Sequence, residues 1–401
     1  MDPIRNPYVP GAGASPPELA GRHELFTQAG IVLQRALVGK SARSFIATGL
    51  RGVGKTVVLG RVQQLAESAG YLTCFVEAHE DKSLGQLLAP PFRKMMLDLD
   101  RLGAVTAQVK RGLRVLKSFA GGLRIHHPLG LMIELDVDPE RGTADSGDLE
   151  SDLPDMVSAL GQAAKSRRTG VAIFIDEIQY LSQKDMGALI MAMHRVMREG
   201  LPVVLAGAGL PHVVALTGQS KSYAERLFAF PELGPLSDEE SADALRTPAE
   251  REGVNFTKEA VAEVLRITQG YPYFLQEWAY HAWNVAHGET ILAGDIQVAT
   301  EVSLTSLDAG FFRMRYERLT PRERLYCQAM AELGPGAHRS GEIAAQMGSR
   351  TQAVAPLRNA LIRKGMIYSP AHGDIAFTVP LFENYLHRIK AMGSDPADAE
   401  D

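Results

Sequence analysis

The sequence predicts an α/β fold, a parallel sheet with helices on both faces, followed by a helical lid and a C-terminal winged helix. Three observations carry that expectation. Between residues 44 and 236 short apolar runs alternate with segments of helical periodicity, the alternation that builds parallel sheets. A glycine-rich octapeptide, residues 49–56, stands between the first apolar run and the helical segment that follows it. Residues 321–378 read as three short helices and then two short strands joined by a turn, the order of a winged helix.

The 401 residues are 45% apolar, 22% charged and 7% aromatic, an ordinary globular mixture large enough for two or three domains, which excludes disorder as the main state. Residues 1–17 carry Pro and Gly where a secretory apolar core would stand, so a cytoplasmic protein is expected. The longest stretch without Asp, Glu, Lys or Arg, 201–220, is interrupted by Pro202, Gly207, Gly209, Pro211, His212 and Gln219. It reads as a buried strand and a loop, not as a membrane span. Cys74 and Cys327 lie far apart in apolar runs, which excludes a disulfide framework or a zinc cluster and leaves two core thiols. The net charge of −5 is unevenly spread: residues 303–390 hold 12 Lys and Arg against 7 Asp and Glu, whereas 391–401 hold four acids and no base. A basic module after an acidic body fits a module that meets nucleic acid, and equally a plain solvated surface.

In chain order, residues 1–20 are expected to be an extended lead-in with no core of their own, followed by a helix over 24–37. A strand at 44–49 leads through the glycine loop into a helix at 56–70 with Val57, Val58, Leu59, Val62 and Leu65 on one side. Further strands are expected at 71–78, 171–175 and 203–206, and a fifth within 228–236. The long gap between the second and third strands marks an insertion at about 85–150. Within it 94–102 and 113–119 look helical, 131–137 looks like a strand, and 138–152 is an acidic loop. The adjacent His126 and His127 lack the i, i+4 spacing of a helical metal pair and point to a structural or surface role.

The lid, 237–302, opens with a capping box, Ser237 with Glu240, and contains a helix from Thr257 that stops before Gly270. Trp278, Tyr280 and Trp283 allow base stacking, but with Phe274 and Leu275 they fit one helix packed inside the lid. Residues 303–390 are the winged helix. Thr320, Pro321 and Glu323 supply an N-cap, a first-turn Pro and a capping Glu for a helix to about Leu333, and Ser340 and Ser349 are further N-cap candidates. Pro356 either kinks the third helix or marks a later start. Residues 366–368 and 375–378, turned at 371–374, form the wing, and 391–401 is an acidic tail.

Residues 49–56 match G-x-x-x-x-G-K-[ST] in the strand–loop–helix context that this pattern requires. Its glycines let consecutive backbone N–H groups converge on phosphate oxygens, and the helix start adds its positive end. Nucleotide contacts are therefore expected from Gly49, Arg51, Gly52, Val53, Gly54, Lys55, Thr56 and Val57. Lys55 should neutralise the β- and γ-phosphates, and the Thr56 hydroxyl should bind Mg²⁺. The apolar run 171–175 ends in Asp176 and Glu177, whose carboxylates would project at the carboxyl edge of a parallel sheet. Asp176 is then a Mg²⁺ ligand through water and Glu177 the base that orients the attacking water, against the alternative of a plain strand-end pair.

With these motifs the chain resembles the AAA+/STAND-type P-loop NTPases, near the archaeal-ATPase and origin-recognition-initiator branches, over roughly residues 18–390. The resemblance implies ATP or ADP as ligand and Mg²⁺ as cofactor. Residues 18–25 resemble the family's entry motif, which implies that Arg22 lies near the adenine, although His23 replaces the usual acid. Gly270-Tyr271-Pro272 resembles the Gly-x-Pro of STAND lids, which implies Pro272 beside the nucleotide. Tyr273 stands where initiators carry a sensing Arg, which favours the STAND side, and the end of the 203–209 run lacks the usual γ-phosphate-sensing polar residue, which implies slow hydrolysis. Arg226 occupies the place of an arginine finger aimed at a neighbouring subunit of a homo-oligomer; a surface Arg paired with Glu225 or Glu239 is the competing reading.

In the winged helix the third helix would present Arg350, Thr351, Gln352 and Arg358, with Arg363 and Lys364 near its end, to double-stranded DNA. The wing tip 371–374 has no Lys or Arg, and winged helices of STAND proteins also pack on proteins. The expected function is an ATP-binding, Mg²⁺-dependent ATPase acting as a nucleotide-controlled switch that engages DNA. The alternative is a STAND-like signalling switch whose lid and winged helix bind a protein partner with little turnover. A small-molecule kinase is a third reading, disfavoured by the lid and winged helix.

Overall fold

The computed structural model describes every residue except 12, 15, 102–105, 123–136, 372 and 393–401. The chain divides into two compact units. One comprises Arg22–Gly49 and Gly54–Leu233, the other Met1–Gly21, Leu50–Val53 and Gly234–Asp401.

The first unit is built on a parallel sheet. Strands β1 (Ser44–Gly49), β2 (Leu72–Glu77), β3 (Val171–Asp176), β4 (Val203–Gly209) and β5 (Phe228–Ala229) run in the order β2-β3-β4-β1-β5, and β6 (Glu232–Leu233) also pairs with β1. Every residue of β1, β3 and β4 is buried. Burial on both faces is why these strands read as unbroken apolar runs rather than alternating ones. The fifth strand expected within 228–236 is two short pieces, interrupted at Pro231, which has no N–H to give but accepts that of Thr48 at 2.9 Å.

Helices α1 (His23–Leu37), α2 (Lys55–Ser68), α3 (Leu84–Arg101), α4 (Ala107–Gly122), α5 (Leu149–Ser166) and α6 (Gln183–Arg198) belong to the same unit, with the shorter α7 (Val213–Ser220) and α8 (Ala224–Leu227). The insertion is a helical layer: α3, α4 and α5 pack on one another and extend the sheet's core through Phe92, Met96, Leu116, Phe119, Leu153 and Leu160. α3 starts at Leu84 rather than near Lys94 and runs through Pro90 and Pro91. The acidic loop is shorter than expected because α5 begins at Leu149, and Asp152 in its first turn accepts from the Ser146 and Gly147 N–H groups and the Ser146 hydroxyl at 3.2, 2.8 and 2.7 Å. The strand expected at 131–137 and the His126–His127 pair fall outside the described residues, apart from Val137, which is a bend.

In the second unit, α9 (Asp238–Arg251), α10 (Lys258–Thr268), α11 (Pro272–Val285) and α12 (Ala293–Leu307) form the lid, tied by the short parallel pair β7 (Asn255–Phe256) and β8 (Thr290–Ile291). Ser237 and Glu240 form the expected capping box, and Thr257 caps α10. Trp278 and Trp283 are core residues of the lid, Trp278 donating to the Thr300 hydroxyl at 2.9 Å. The N-terminal lead-in is not independent of a core. Tyr8 is buried and donates its hydroxyl to the Leu245 carbonyl, and Asn6 donates to the Tyr280 carbonyl at 3.0 Å.

After α13 (Arg313–Glu317), the chain forms α14 (Pro321–Glu332), β9 (His338–Arg339), α15 (Ser340–Gln346), α16 (Thr351–Arg363), β10 (Ile367–Tyr368), β11 (Asp374–Phe377) and α17 (Phe382–Ala391). The antiparallel order β10-β11-β9 makes this a winged helix. Thr320 and Glu323 cap α14 as expected. Ser340 and Ser349 do not cap: those positions belong to Arg339 and Arg350. Pro356 lies inside α16, which starts before it. Among the described residues no helix is long and apolar enough to cross a membrane.

Candidate functional site

The glycine loop turns β1 into α2 with Gly52 and Gly54 at φ of +87° and +91°, backbone that a side chain with a Cβ rarely adopts. Lys55 opens α2 and is buried, its ammonium donating to the Gly49 carbonyl at 3.0 Å. The lysine is thus folded back on the strand end, at the N-terminus of α2, where a helix's positive end favours phosphate. Val57 follows in the first turn of α2, half-buried.

Two strands away, β3 ends in Asp176. Its Oδ2 accepts from the Thr56 hydroxyl at 2.6 Å and its Oδ1 from the Glu177 N–H at 2.8 Å. Burial raises the Asp176 carboxyl above the usual carboxylate range, opposed by those two hydrogen bonds. A hydroxyl and a carboxylate converging on one point are hard oxygen donors of the kind Mg²⁺ takes together with phosphate oxygens and water, so the residues present fit that ion. Among the described residues no cluster of three His, Cys, Asp or Glu side chains offers a competing metal site.

Glu177 has a left-handed backbone, φ +49°, a conformation costing about 1 kcal/mol or more that persists only where neighbours enforce it. The neighbour is Gln179. Its amide donates to the Glu177 carboxylate, and its carbonyl oxygen accepts the Leu210 N–H at 3.0 Å. Gly209, the last residue of β4, makes room: a Cβ there would lie 2.8 Å from the Gln179 oxygen. Any side chain at the end of β4 would thus collide with Gln179. Sequence reasoning missed Gln179; the signal was a polar residue two positions past the acid pair in an otherwise apolar turn.

The remaining expected contacts are placed as follows. Leu50–Val53 group with the lid and winged helix; there the Tyr273 N–H donates to the Gly52 carbonyl at 3.1 Å and the Tyr271 hydroxyl to the Arg51 carbonyl. Pro272 supplies the first position of α11, and it is its two tyrosine neighbours that touch the loop. Val53 is buried. Arg22 stands at the N-cap position of α1. Arg226 lies on α8, exposed, and forms no ion pair among the described residues, Glu225 and Glu239 included.

On the winged helix, Arg350, Thr351, Gln352 and Arg363 are exposed on or beside α16. Arg358 is half-buried and reaches Asn359 at 3.4 Å and Ser340 at 3.5 Å. Lys364 is committed elsewhere: its ammonium donates to the Glu323 carboxylate at 2.6 Å and to the Arg318 carbonyl at 3.0 Å. Asp374 on the wing pairs with Arg339 at 3.0 Å.

A family model described as the AAA ATPase domain matches residues 18–205. A second, described as a domain of unknown function (DUF8462), matches residues 309–386, the winged-helix region. No curated protein sequence matches the chain. Among solved structures, a Walker-type ATPase of Pyrococcus abyssi is 16% identical, with 92% of this chain and 96% of that one covered and a TM-score of 0.54. The Orc1 protein of Aeropyrum pernix, solved in complex with DNA, is 16% identical over 97% of both chains with a TM-score of 0.47. Cdc6p of Pyrobaculum aerophilum is 14% identical over 98% and 99%, with a TM-score of 0.47.

Proposed function

We propose that this chain, whose residues 18–205 match the AAA ATPase domain model, is a Mg²⁺-dependent ATPase that acts as a nucleotide-controlled switch and engages double-stranded DNA through its winged helix. The observation that carries the nucleotide reading is the 2.6 Å contact between Thr56 and Asp176, with buried Lys55 beside the glycine loop.

In this reading the backbone N–H groups of residues 49–57 and the Lys55 ammonium hold the β- and γ-phosphates. Thr56 and Asp176 would hold Mg²⁺, which would supply charge neutralisation for the bound phosphates. Glu177, held by Gln179, orients a water in line with the γ-phosphorus and takes its proton as the new P–O bond forms and the bond to ADP breaks. Exposed Arg226 is the residue suited to act in trans on a neighbouring subunit's phosphates, and mass measurement with and without nucleotide tests whether such a neighbour exists. Replacing Glu177 by Gln should leave ATP bound and stop phosphate release; normal turnover by that variant would remove the base assignment.

DNA engagement rests on the exposed Arg350 and Arg363, Arg358 and the basic excess of the module. One observation favours the protein-binding alternative: the wing's Asp374 neutralises Arg339 and Lys364 is spent on Glu323. A salt series decides. Affinity for duplex DNA that falls steeply with salt and is lost on joint replacement of Arg350 and Arg358 by Ala supports the DNA reading. Absence of binding at low salt leaves the STAND-like signalling switch.

A further inference from the structure

The unit that contains the winged helix carries a partly open cavity of about 240 Å³ whose polar lining is Arg51, Arg315, Arg318 and Lys364. Leu319 and Met366 supply much of its apolar wall, and among the described residues no Asp or Glu lines it. The nearest carboxylate on Lys364, that of Glu323, is already spent on that ammonium.

Arg315 is held ready by its surroundings. Its guanidinium lies 3.7 Å from the centroid of Phe311, which itself stacks on Tyr273, and one N–H donates to the Phe311 carbonyl at 2.5 Å. That is its single side-chain hydrogen bond among the described residues, on a group with five donors. Arg318 is exposed and makes none with its side chain among the described residues. Burial first, and then the like charge of Arg51, push the Arg315 guanidinium down to about 10, far below where an arginine normally stands. Three guanidinium groups, those of Arg51, Arg315 and Arg318, face one small space and repel one another, and a polyvalent anion relieves that repulsion.

We propose that this cavity binds a small free anion of the phosphate class, of the size of orthophosphate or pyrophosphate, gripped by the guanidinium forks of Arg315 and Arg318 with Arg51 at its edge. Planar forks favour tetrahedral oxyanions through paired N–H donors, and the volume is below that of a cavity for a drug-sized ligand. The side chains that line it do not include Lys55, which carries the charge of the proposed nucleotide cradle. Because Arg51 belongs to the glycine loop's sequence while Arg315, Arg318 and Lys364 belong to the C-terminal module, a bound anion ties that loop segment to the module.

The test is calorimetric titration of inorganic pyrophosphate into the full-length chain in chelator-containing buffer, in a Lys55→Ala background that disables the nucleotide cradle. Pyrophosphate should still bind Lys55→Ala. Adding Arg318→Ala should weaken it at least about tenfold, the loss expected for one charge-assisted pair, and Arg315→Met should abolish it. If Arg315→Met does not fold, the exposed Arg318→Ala decides alone. Loss of all pyrophosphate binding in Lys55→Ala, no binding by the wild-type chain, or undiminished binding by Lys55→Ala/Arg318→Ala would each overturn the proposal.

Discussion

The Gln179 side chain donates to the Glu177 carboxylate while accepting the N–H of Leu210 from the chain leaving β4. That bridge connects the proposed general base to the strand lying between β3 and β1, and it makes Gln179 a positioning residue. Replacing Gln179 by Leu should lower kcat for ATP hydrolysis by about 10- to 100-fold, within the range a misplaced base costs, while ATP affinity stays within about threefold. Steady-state kinetics beside calorimetry read the two effects separately.

Gly209→Ala gives an independent handle on the same bridge. The added Cβ would stand 2.8 Å from the Gln179 oxygen and 3.0 Å from an Ile178 methyl, so Gln179 must move. The variant should reproduce the kinetic defect of Gln179→Leu without touching any ligand-facing atom, and combining the two should add little. Full additivity would show that Gly209 and Gln179 act through different routes.

Thr56→Val removes one of two converging oxygen donors. ATP affinity measured with Mg²⁺ should fall by about tenfold or more, whereas affinity measured in chelator should hardly change, since the hydroxyl serves the metal and not the phosphates directly. Equal loss in both conditions would count against Thr56 as a metal ligand.

Glu323 and Lys364 are coupled across the winged helix at 2.6 Å, with Glu323 buried and its carboxylate also accepting the Thr320 N–H at 2.7 Å. Although burial opposes it, the hydrogen bonds from Lys364 and Thr320 hold the Glu323 carboxyl below the ordinary glutamate range. A depressed folded-state value contributes stability that is present above the unfolded value, about 4.3, and is lost as pH falls through the folded one. Lys364→Met should cost about 2 kcal/mol at pH 7, less than a fully buried pair because Lys364 is a third exposed, and should flatten the acid limb of stability. Chemical denaturation from pH 7 to 3 measures both.

Burial pushes the Cys74 thiol up to about 12 and the Cys327 thiol upward as well. Raised values favour the protonated folded state, so the stability they contribute is present below the unfolded thiol value, about 8.5, and is lost as pH rises toward the folded ones. At pH 8 an alkylating reagent should label neither thiol in the native chain and both in denaturant. Mass spectrometry after a short pulse checks this.

Much of the sheet was legible because a strand buried on both faces has no polar residue to disguise it, as in 171–176, and because the phosphate pattern fixes where a strand must stop and a helix begin. Caps were legible where a short polar side chain meets a Glu three residues on, at Ser237 and Thr320. They failed at Ser340 and Ser349, where Arg339 and Arg350 take the cap positions and Ser340 instead donates to the Gly373 carbonyl at 3.1 Å. α3 begins well before the expected Lys94: tertiary packing of Phe92 and Met96 carries this helix through Pro90 and Pro91, residues that usually mark a boundary. In the site, the residues set by local pattern could be read, but Gln179 could not: its role depends on the approach of the chain after β4, a contact between segments far apart in sequence.

In the proposed function Lys55 and the Thr56–Asp176 pair hold ATP and Mg²⁺. Calorimetric titration of ATP into the folded full-length chain with Mg²⁺ tests it most directly. Saturable uptake of one nucleotide per chain is expected, weakened at least about a hundredfold by Lys55→Ala. No heat of binding in the wild-type chain, or unchanged affinity in that variant, would contradict it.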